Sequence, residues 1–121
     1  MLFRSELTPI TEEYARRFLK SEGAGILLAE ETGKMIGLLS FTLRPNLFHA
    51  ADSGLIEDLI VRASARGRGV GKALMDALLD RLQANGCAEV SVSTMADNIQ
   101  AQRFYRSHGL VDEALFLERH F

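Results

Sequence analysis

The sequence predicts one α/β domain, residues 1–121, built on a mixed central sheet flanked by helices. Its strand-like and helix-like patterns follow one another as a helix, two adjacent strands, a strand–helix–strand unit and a further helix, an order typical of α/β folds. The length of 121 residues and the hydrophobic content of 47% suit one compact core. A glycine-rich run separates one strand from the helix that follows it, which indicates a ligand-binding turn.

The first half of the chain predicts a helix and a β-hairpin. A Thr-Pro pair begins a helical pattern over residues 8–20, with apolar side chains at helical spacing. Two apolar runs at residues 25–29 and 35–43 are joined by a short polar turn that contains a glycine, which favours antiparallel neighbouring strands. Residues 44–53 contain proline and asparagine and predict a loop.

The second half predicts a strand, a crossover helix and a second strand. The first strand covers residues 55–61, and an apolar stripe over residues 70–85 predicts an amphipathic helix that ends at an Asn-Gly pair. Residues 88–93 alternate in the manner of a strand. Because a helix connects them, we expect the two strands to run parallel.

The last elements are a helix and a closing strand region. Residues 98–107 predict a helix that Asp97 or Asn98 caps and Gly109 closes. Residues 110–121 predict one or two closing strands, divided near an Asp-Glu pair. The sequence contains no internal repeat, low-complexity tract or interdomain linker, in keeping with one domain.

The glycine-rich run is the most informative stretch of the sequence. Glycine lets the backbone approach a ligand closely and adopt positive φ at little cost, and the following helix points its positive dipole end at whatever binds. Four cations lie within eleven residues here, enough to attract a multiply phosphorylated small molecule. The predicted anion-binding residues are Arg66, Gly67, Arg68, Gly69, Val70, Gly71 and Lys72.

Two familiar phosphate-binding motifs do not fit this run. A Walker P-loop has four residues between its first glycine and the Gly-Lys pair, followed by Ser or Thr. Here three residues separate Gly67 from Gly71, and Ala73 follows Lys72. A dinucleotide-binding turn begins directly after its strand, but residues 62–66 intervene. A magnesium-nucleotide or dinucleotide site is therefore disfavoured.

A third motif fits. The pattern Arg66-x-x-Gly69-x-Gly71 satisfies the Arg/Gln-x-x-Gly-x-Gly/Ala signature of the GNAT N-acetyltransferase family. Residues 56–61 resemble the family's central strand before this loop. The family's second cofactor-contacting motif is resembled by Asn98-x-x-Ala101-x-x-Phe104-Tyr105-x-x-x-Gly109. The resemblance spans roughly residues 25–121, with the three motifs in the family's order.

The resemblance implies two splayed central strands with acetyl-coenzyme A in the gap between them. Here these strands would be residues 55–61 and 88–93, and the glycine-rich run would hold the pyrophosphate. The resemblance places Leu59, Ile60 and Val61 against the pantetheine arm and acetyl group, with a backbone N–H near Ile60 or Val61 polarising the thioester carbonyl. The side chains of these three residues can still fill the core, since only their backbone would contact the cofactor.

Tyr105 is the candidate catalytic side chain. Asn98, Ala101 and Tyr105 are spaced by three and four residues, so they share one face of the predicted helix. The resemblance implies that Asn98 and Ala101 contact the cofactor and that Tyr105 protonates the departing coenzyme A sulfur. Two alternatives stay open: Tyr105 is a half-buried aromatic with its hydroxyl at the surface, and Asn98 is only a helix cap.

Glu57 is the candidate base for the acceptor amine. A lysine-like amine with a pKa of about 10.4 loses its proton at pH 7 at a cost of about 4.6 kcal/mol. Glu57 and Asp58 are expected on opposite faces of their strand, so only one of them faces the acceptor. The context Ile56-Glu57-Asp58-Leu59 resembles that of polyamine and related small-amine acetyltransferases and favours Glu57, acting through water. An ion pair with a neighbouring cation is the alternative.

Composition restricts the partners. The net charge of −2 argues against a broadly basic nucleic-acid surface, and no apolar run has the length of a membrane span or a signal core. We therefore expect a cytoplasmic protein without nucleic-acid or membrane partners. The single cysteine, Cys87, has no internal disulfide partner and forms no metal cluster with the three scattered histidines, so no metal is expected.

The region before the hairpin is shorter than the usual strand and two helices of the family. About two dozen residues precede Ile26, so residues 2–6 supply at most one strand and one helix replaces two. That region normally shapes the acceptor pocket, which leaves the acceptor as a primary amine of a small molecule or peptide. It can also expose a sheet edge, so a homodimer stays open.

The expected function is direct N-acetyl transfer from acetyl-coenzyme A to this amine within a ternary complex. A covalent enzyme intermediate is not needed, and Cys87 has no histidine nearby in sequence to activate it. The alternative is a non-catalytic acyl-coenzyme A sensor or interaction module that keeps the glycine-rich run without turnover.

Overall fold

The computed structural model describes residues 12–121, which form three α-helices and a four-stranded sheet. In chain order the elements are α1 (Glu12–Lys20), β1 (Ala24–Glu31), β2 (Lys34–Asn46), β3 (Ala51–Val61), a short 3-10 helix (Ala63–Ala65), α2 (Val70–Ala84), β4 (Glu89–Ser91) and α3 (Ile99–Ser107). The strand order is β1-β2-β3-β4, with β3 and β4 parallel and the other pairs antiparallel. The predicted mixed sheet, hairpin and parallel strand pair are confirmed.

Helix α1 lies at the beginning of the described residues. It contains no buried residue, and its acidic first turn and basic last turn match the helix dipole. The predicted beginning of this helix and the strand predicted at residues 2–6 lie outside the described residues. Across residues 12–121, no helix has both the length and the apolar character needed to cross a membrane.

The core lies between α2 and one face of the sheet. Leu39 and Leu59 face each other across β2 and β3 and are fully buried. Gly37 lies on the same face of β2, and a Cβ built there would be 2.8 Å from Val70 Cγ1 of α2. The alternate residues of β2, such as Ser40, therefore lie on the opposite face. The other buried members of this core are Phe41, Ile56, Leu74, Met75, Leu78, Leu82, Ala101 and Tyr105.

The loop predicted over residues 44–53 is wrong, because both flanking strands extend into it. β2 and β3 leave only a four-residue turn at 47–50, and Pro45 is part of β2 although it has no N–H to donate. Two residues earlier, Leu43 donates its N–H to Gly23 O at 2.8 Å on the β1 side. Because backbone direction alternates along a strand, the nitrogen of Pro45 faces the same side as that of Leu43. β1 begins just after Gly23 and does not extend past Pro45, so no strand there needs an N–H donor and proline is tolerated.

The closing strands predicted over residues 110–121 are also wrong. This segment forms no strand, and residues 111–121 are all exposed. A strand needs a neighbour for its backbone N–H and C=O groups, and among the described residues β4 pairs with β3 alone. The segment therefore has the apolar pattern of a strand but does not pair with another strand in the described part of the chain.

Strands β3 and β4 separate soon after they begin to pair. Their parallel pairing consists of three residue pairs, of which Leu55 with Ser91 is the last. β3 continues to Val61, whereas β4 ends at Ser91. Within the described part of the chain, the second half of β3 thus has a strand neighbour on its β2 side only, which is the arrangement expected of splayed central strands.

Candidate active site

The glycine-rich loop leads from the end of β3 into the first turn of α2. Gly67 and Gly69 have φ angles of +76° and +81°, in the left-handed region that favours glycine. A Cβ at either position would have no heavy atom within 4 Å. The space beside both residues is therefore open, and the loop backbone is accessible to a ligand.

The first turn of α2 suits an anion. The helical hydrogen bonds begin with Ala73 N donating to Gly69 O at 3.0 Å, so the N–H groups of Val70, Gly71 and Lys72 precede the helical ladder. The N-cap residue Gly69 has no side chain that could accept a hydrogen bond from these N–H groups. The first turn of α2, which the structure describes in full, contains no acidic residue. Three amide N–H groups therefore lie at the positive end of the helix dipole without a carboxylate to neutralise them.

The two predicted motifs meet at Gly71. A Cβ at Gly71 would lie 3.4 Å from Phe104 Cζ on α3, in van der Waals contact with the ring. Phe104 in turn makes an edge contact with Tyr105, with 5.3 Å between the ring centroids. The helix of the second motif thus packs against the first turn of α2 at position 71.

Two of the four loop cations donate to strand backbone. Arg62 Nε donates to Met35 O at 3.1 Å, and Arg66 Nε donates to Val61 O at 3.3 Å. Both arginines are exposed. The Arg66 contact fixes the start of the loop to the end of β3, so the loop begins at a defined position relative to the splayed strand.

The other two cations form ion pairs. Arg68 pairs with Glu31 at the end of β1, and Lys72 Nζ lies 2.7 Å from Asp76 Oδ2 one turn along α2. The hydrogen bond from Lys72 is the main cause that lowers the pKa of Asp76. Exposed ion pairs of this kind are weak, so a polyphosphate can compete for both cations.

Alternate residues of β3 direct their backbone N–H and C=O groups away from β2, towards the side where β4 no longer pairs with β3. Arg62 N donates to Ile36 O of β2 at 2.8 Å, and the alternation of an antiparallel ladder then directs the N–H and C=O of Ile60 to β2 as well. Leu59 and Val61 direct theirs to the opposite side. The predicted backbone donor was the N–H near Ile60 or Val61. The backbone groups of Val61 face the gap between β3 and β4, as do those of Leu59, whereas those of Ile60 face β2.

A β-bulge brings Glu57 and Asp58 of β3 to one face of the sheet. The pairing register of β2 and β3 shifts by one residue just after Ser40, which makes Glu57 the extra residue. Asp58 Oδ2 accepts a hydrogen bond from Ser40 Oγ at 3.0 Å, and Glu57 Oε1 accepts one from Thr42 Oγ1 at 3.0 Å. Ser40 and Thr42 are two residues apart and share the face opposite α2.

The expectation that Glu57 and Asp58 lie on opposite faces is therefore wrong, because the bulge interrupts the alternation. Glu57 is exposed and Asp58 is partly buried, so the two carboxylates differ in environment although they share a face. The sequence analysis did not predict Ser40 and Thr42 as residues of the site. Two hydroxyls spaced by two residues within an otherwise apolar strand were the available signal.

Helix α3 directs Ala101 and Tyr105 into the core. Both are buried, so they share one helical face as predicted, and this face packs into the core. Asn98 Oδ1 accepts a hydrogen bond from Ala101 N at 3.1 Å and is the N-cap of α3, so its capping role is confirmed and its cofactor contact stays a prediction. The alternative in which the Tyr105 hydroxyl lies at the surface is wrong, because that oxygen is buried.

The Tyr105 hydroxyl titrates far from its ordinary range. Burial raises the pKa of Tyr105 well above that of an exposed tyrosine, and the negative charge of Asp58 raises it further. The side chain therefore keeps its proton at physiological pH. The carboxylate of β3 whose charge acts on Tyr105 is that of Asp58.

Residues 2–110 match the model of the acetyltransferase (GNAT) family. Because the match covers most of the chain, the protein belongs to the GNAT acetyltransferase family, as its three motifs predicted. It is accordingly an acetyl-coenzyme A-dependent N-acetyltransferase, with acetyl-coenzyme A as the family's co-substrate.

Two curated relatives illustrate the sequence similarity. The chain is 28% identical over 101 residues to an aminoglycoside N(6')-acetyltransferase type 1 from Stenotrophomonas maltophilia, covering 81% of this chain and 66% of that protein. It is 26% identical over 117 residues to a glucosamine 6-phosphate N-acetyltransferase from Arabidopsis thaliana, covering 91% of this chain and 76% of that protein. Both relatives acetylate an amine.

Solved structures support the fold. The crystal structure of the Arabidopsis thaliana glucosamine-6-phosphate N-acetyltransferase superposes with a TM-score of 0.76 at 26% identity, over 91% of this chain and 78% of that one. A transcriptional regulator from Bacillus halodurans C-125 superposes with a TM-score of 0.83 at 24% identity, over 90% and 73%. The second likeness concerns the fold alone.

Proposed function

We propose that this chain acetylates a primary amine of a small molecule or peptide by direct attack on the acetyl donor in a ternary complex. The observation that supports this most is the position of the acid-free first turn of α2. This turn lies at the end of the glycine-rich loop. The loop begins after the end of β3, whose second half is not paired with β4. A donor with a pyrophosphate at one end and an extended arm would use both features.

The residues of the loop fit such a donor. The open positions beside Gly67 and Gly69 form a cradle that any Cβ would narrow. The N–H groups of Val70, Gly71 and Lys72 would hold the pyrophosphate, and Leu59 and Val61 would pair with the arm through their backbone. When bound, acetyl-coenzyme A supplies an activated acetyl group. The contacts of Ala101 and Asn98 with it are part of the same proposal.

Tyr105 is the proposed donor to the leaving sulfur. A tyrosine of ordinary pKa, about 10, is a weaker acid than a thiol near 8.5, a difference of about 2 kcal/mol. Burial raises the pKa of Tyr105 further, which makes complete proton transfer more uphill. The structure therefore favours a hydrogen bond from the Tyr105 hydroxyl to the sulfur as negative charge develops there, with the proton following late in the step.

Glu57 is the proposed base. It is exposed on the face opposite α2, where an acceptor can reach it directly or through water. Asp58 is partly buried, held by Ser40 Oγ at 3.0 Å, and its charge acts on Tyr105. We therefore assign to Glu57 the removal of the amine proton and to Asp58 the attraction of the protonated amine towards Tyr105.

Two carboxylates on one face also select the kind of acceptor. A cationic amine is attracted by both charges, whereas a phosphate-bearing amine is repelled. Of the acceptors named for the two relatives, the aminoglycoside type therefore suits this face better than the sugar phosphate. We propose a polycationic small molecule or a basic peptide as the acceptor class.

The experiment is a turnover assay with an amine panel. The purified chain is mixed with acetyl-coenzyme A and each amine, and free thiol is followed over time. The panel pairs an aminoglycoside and a diamine with glucosamine 6-phosphate as the anionic comparison. Tyr105→Phe is expected to lower kcat by roughly 10²-fold with little change in coenzyme A affinity.

Two outcomes would point elsewhere. Stabilisation by acetyl-coenzyme A without turnover of any amine would favour the non-catalytic sensor. Stabilisation by ATP with magnesium that exceeds stabilisation by coenzyme A would favour a nucleotide site at the loop. Turnover that is unchanged in Tyr105→Phe would remove this residue from the mechanism.

A further inference from the structure

The Asp76 carboxylate joins the glycine-rich loop to a buried histidine. Lys72 Nζ, one turn earlier on α2, lies 2.7 Å from Asp76 Oδ2. His108 Nδ1, at the end of α3, lies 3.5 Å from Asp76 Oδ1. Lys72 is the last residue of the glycine-rich run, so the proposed donor site is connected to this imidazole through a single carboxylate.

The three side chains differ in their access to solvent. The exposed fraction is 71% for Lys72, 48% for Asp76 and 9% for His108. The His108 ring packs against the ring of Phe104, with 4.9 Å between the centroids, and Phe104 in turn contacts Gly71 in the first turn of α2. The imidazole is therefore shielded from water, where a change in nearby charge is screened less than at the surface.

The contact between Lys72 and Asp76 can be exchanged at little cost. A lysine in the first turn of a helix opposes the helix dipole, and a cation four residues before a carboxylate is the less favourable order of such a pair. Long side chains of a helix lean towards its N-terminus, which is where the pyrophosphate would lie. A pyrophosphate there would therefore draw Lys72 away from Asp76.

The charges around His108 come from α2 and from the end of α3. Helix α2 contributes Asp76 and, beyond it, Lys72. Helix α3 contributes the negative end of its dipole, since His108 is its C-cap. Arg106 is held by Asp112 through hydrogen bonds of 2.9 Å and 2.8 Å, so these two charges offset each other. Once Lys72 leaves Asp76, the carboxylate and the helix end both favour a protonated imidazole.

We infer that Asp76 changes partner when the donor binds: Lys72 passes to the pyrophosphate, and His108 takes up a proton and pairs with Asp76. This inference rests on the proposed donor site, and it makes Asp76 and His108 positioning residues that act on the donor through Lys72. The imidazole gains its proton from solvent, and no covalent bond changes. Because the complex then holds more protons than the chain alone, the affinity for the donor rises as pH falls.

The test is calorimetric titration with dephospho-coenzyme A in buffers that differ in ionisation enthalpy. This probe keeps the pyrophosphate but lacks the 3′-phosphate, because a phosphate monoester has a second pKa of about 6 and would obscure the histidine. The chain should take up protons on binding, and Kd should fall roughly threefold to tenfold from about pH 8 to about pH 6. His108→Gln and Asp76→Asn should both bind without proton uptake, with a Kd that is constant over this pH range.

The chain offers two matched controls. His49 Nε2 in the β2–β3 turn lies 3.4 Å from Glu89 Oε2, a comparable pair of imidazole and carboxylate that includes neither Lys72 nor Asp76. Asp80 is an exposed aspartate one turn beyond Asp76 on α2. His49→Gln and Asp80→Asn should both keep the proton uptake and the pH dependence of Kd.

The outcomes separate this inference from the proposed donor site. Binding of dephospho-coenzyme A without proton uptake would overturn the inference and leave the donor site in place. The same holds for uptake that persists in His108→Gln and Asp76→Asn, or that His49→Gln abolishes. If dephospho-coenzyme A does not bind at all, the donor site itself is refuted, and the inference with it.

Discussion

Gly69→Ala separates the backbone strain of the loop from its role in binding. Gly69 has φ of +81° and open space around its Cβ position, so alanine there costs the strain of left-handed backbone, about 1–2 kcal/mol. The new methyl group would also stand beside the N–H groups of α2. Loss of one charge-assisted hydrogen bond costs about 1.5–3 kcal/mol, so coenzyme A affinity should fall roughly 10- to 100-fold.

Gly33→Ala is the control for this change. Gly33 lies in the β1–β2 turn with φ of +78° and open space as well, so it should lose the same stability without affecting binding. Urea unfolding gives the free energy of unfolding of both variants, and calorimetric titration with coenzyme A gives their affinities at a temperature where both are folded. If Gly69→Ala binds coenzyme A as tightly as Gly33→Ala, the phosphates do not lie at this turn.

Three further predictions concern the neighbouring elements. Gly37→Ala places a Cβ 2.8 Å from Val70 Cγ1, so urea unfolding should show a loss of about 1–3 kcal/mol, and coenzyme A titration should show weaker binding because the first turn of α2 is displaced. The folded chain holds the Tyr105 proton more tightly than the unfolded chain, so the free energy of unfolding should fall as pH rises above about 10; Tyr105→Phe should lack this fall, and an unchanged pH profile would contradict the burial effect. Glu57→Gln should lower kcat/KM by roughly 10²-fold for a strongly basic amine and less for a weakly basic one, whereas Asp58→Asn should mainly raise KM; equal losses for both amines would remove Glu57 as the base.

Most of the elements could be predicted because their signals are local. The helix of residues 70–84 follows from one apolar stripe and an Asn-Gly stop, and the parallel pairing of β3 and β4 follows from the helix between them. The geometry of the proposed anion site was also predictable, since glycine spacing and helix position determine where amide N–H groups point.

The errors arose where partners distant in sequence decide the structure. Pro45 predicts a loop by itself, but the absence of a neighbour on its β1 side allows it in a strand. The bulge at Glu57 depends on the register between β2 and β3, which alternation along β3 alone does not reveal. Residues 110–121 have a strand pattern, yet the pattern along one segment does not determine whether it pairs with an edge strand such as β4.

The bulge gives Glu57 an unusual position in the sheet. Every other residue of β3 has a pairing partner on β2. If position 57 were deleted, the pairing register of the two strands would therefore run without a shift. The proposed base is therefore carried by a residue that the ladder does not require. Its length, charge or even presence can change while Leu59 and the core remain in place, so we expect the proposed acceptor contact to vary without a change in the proposed donor site.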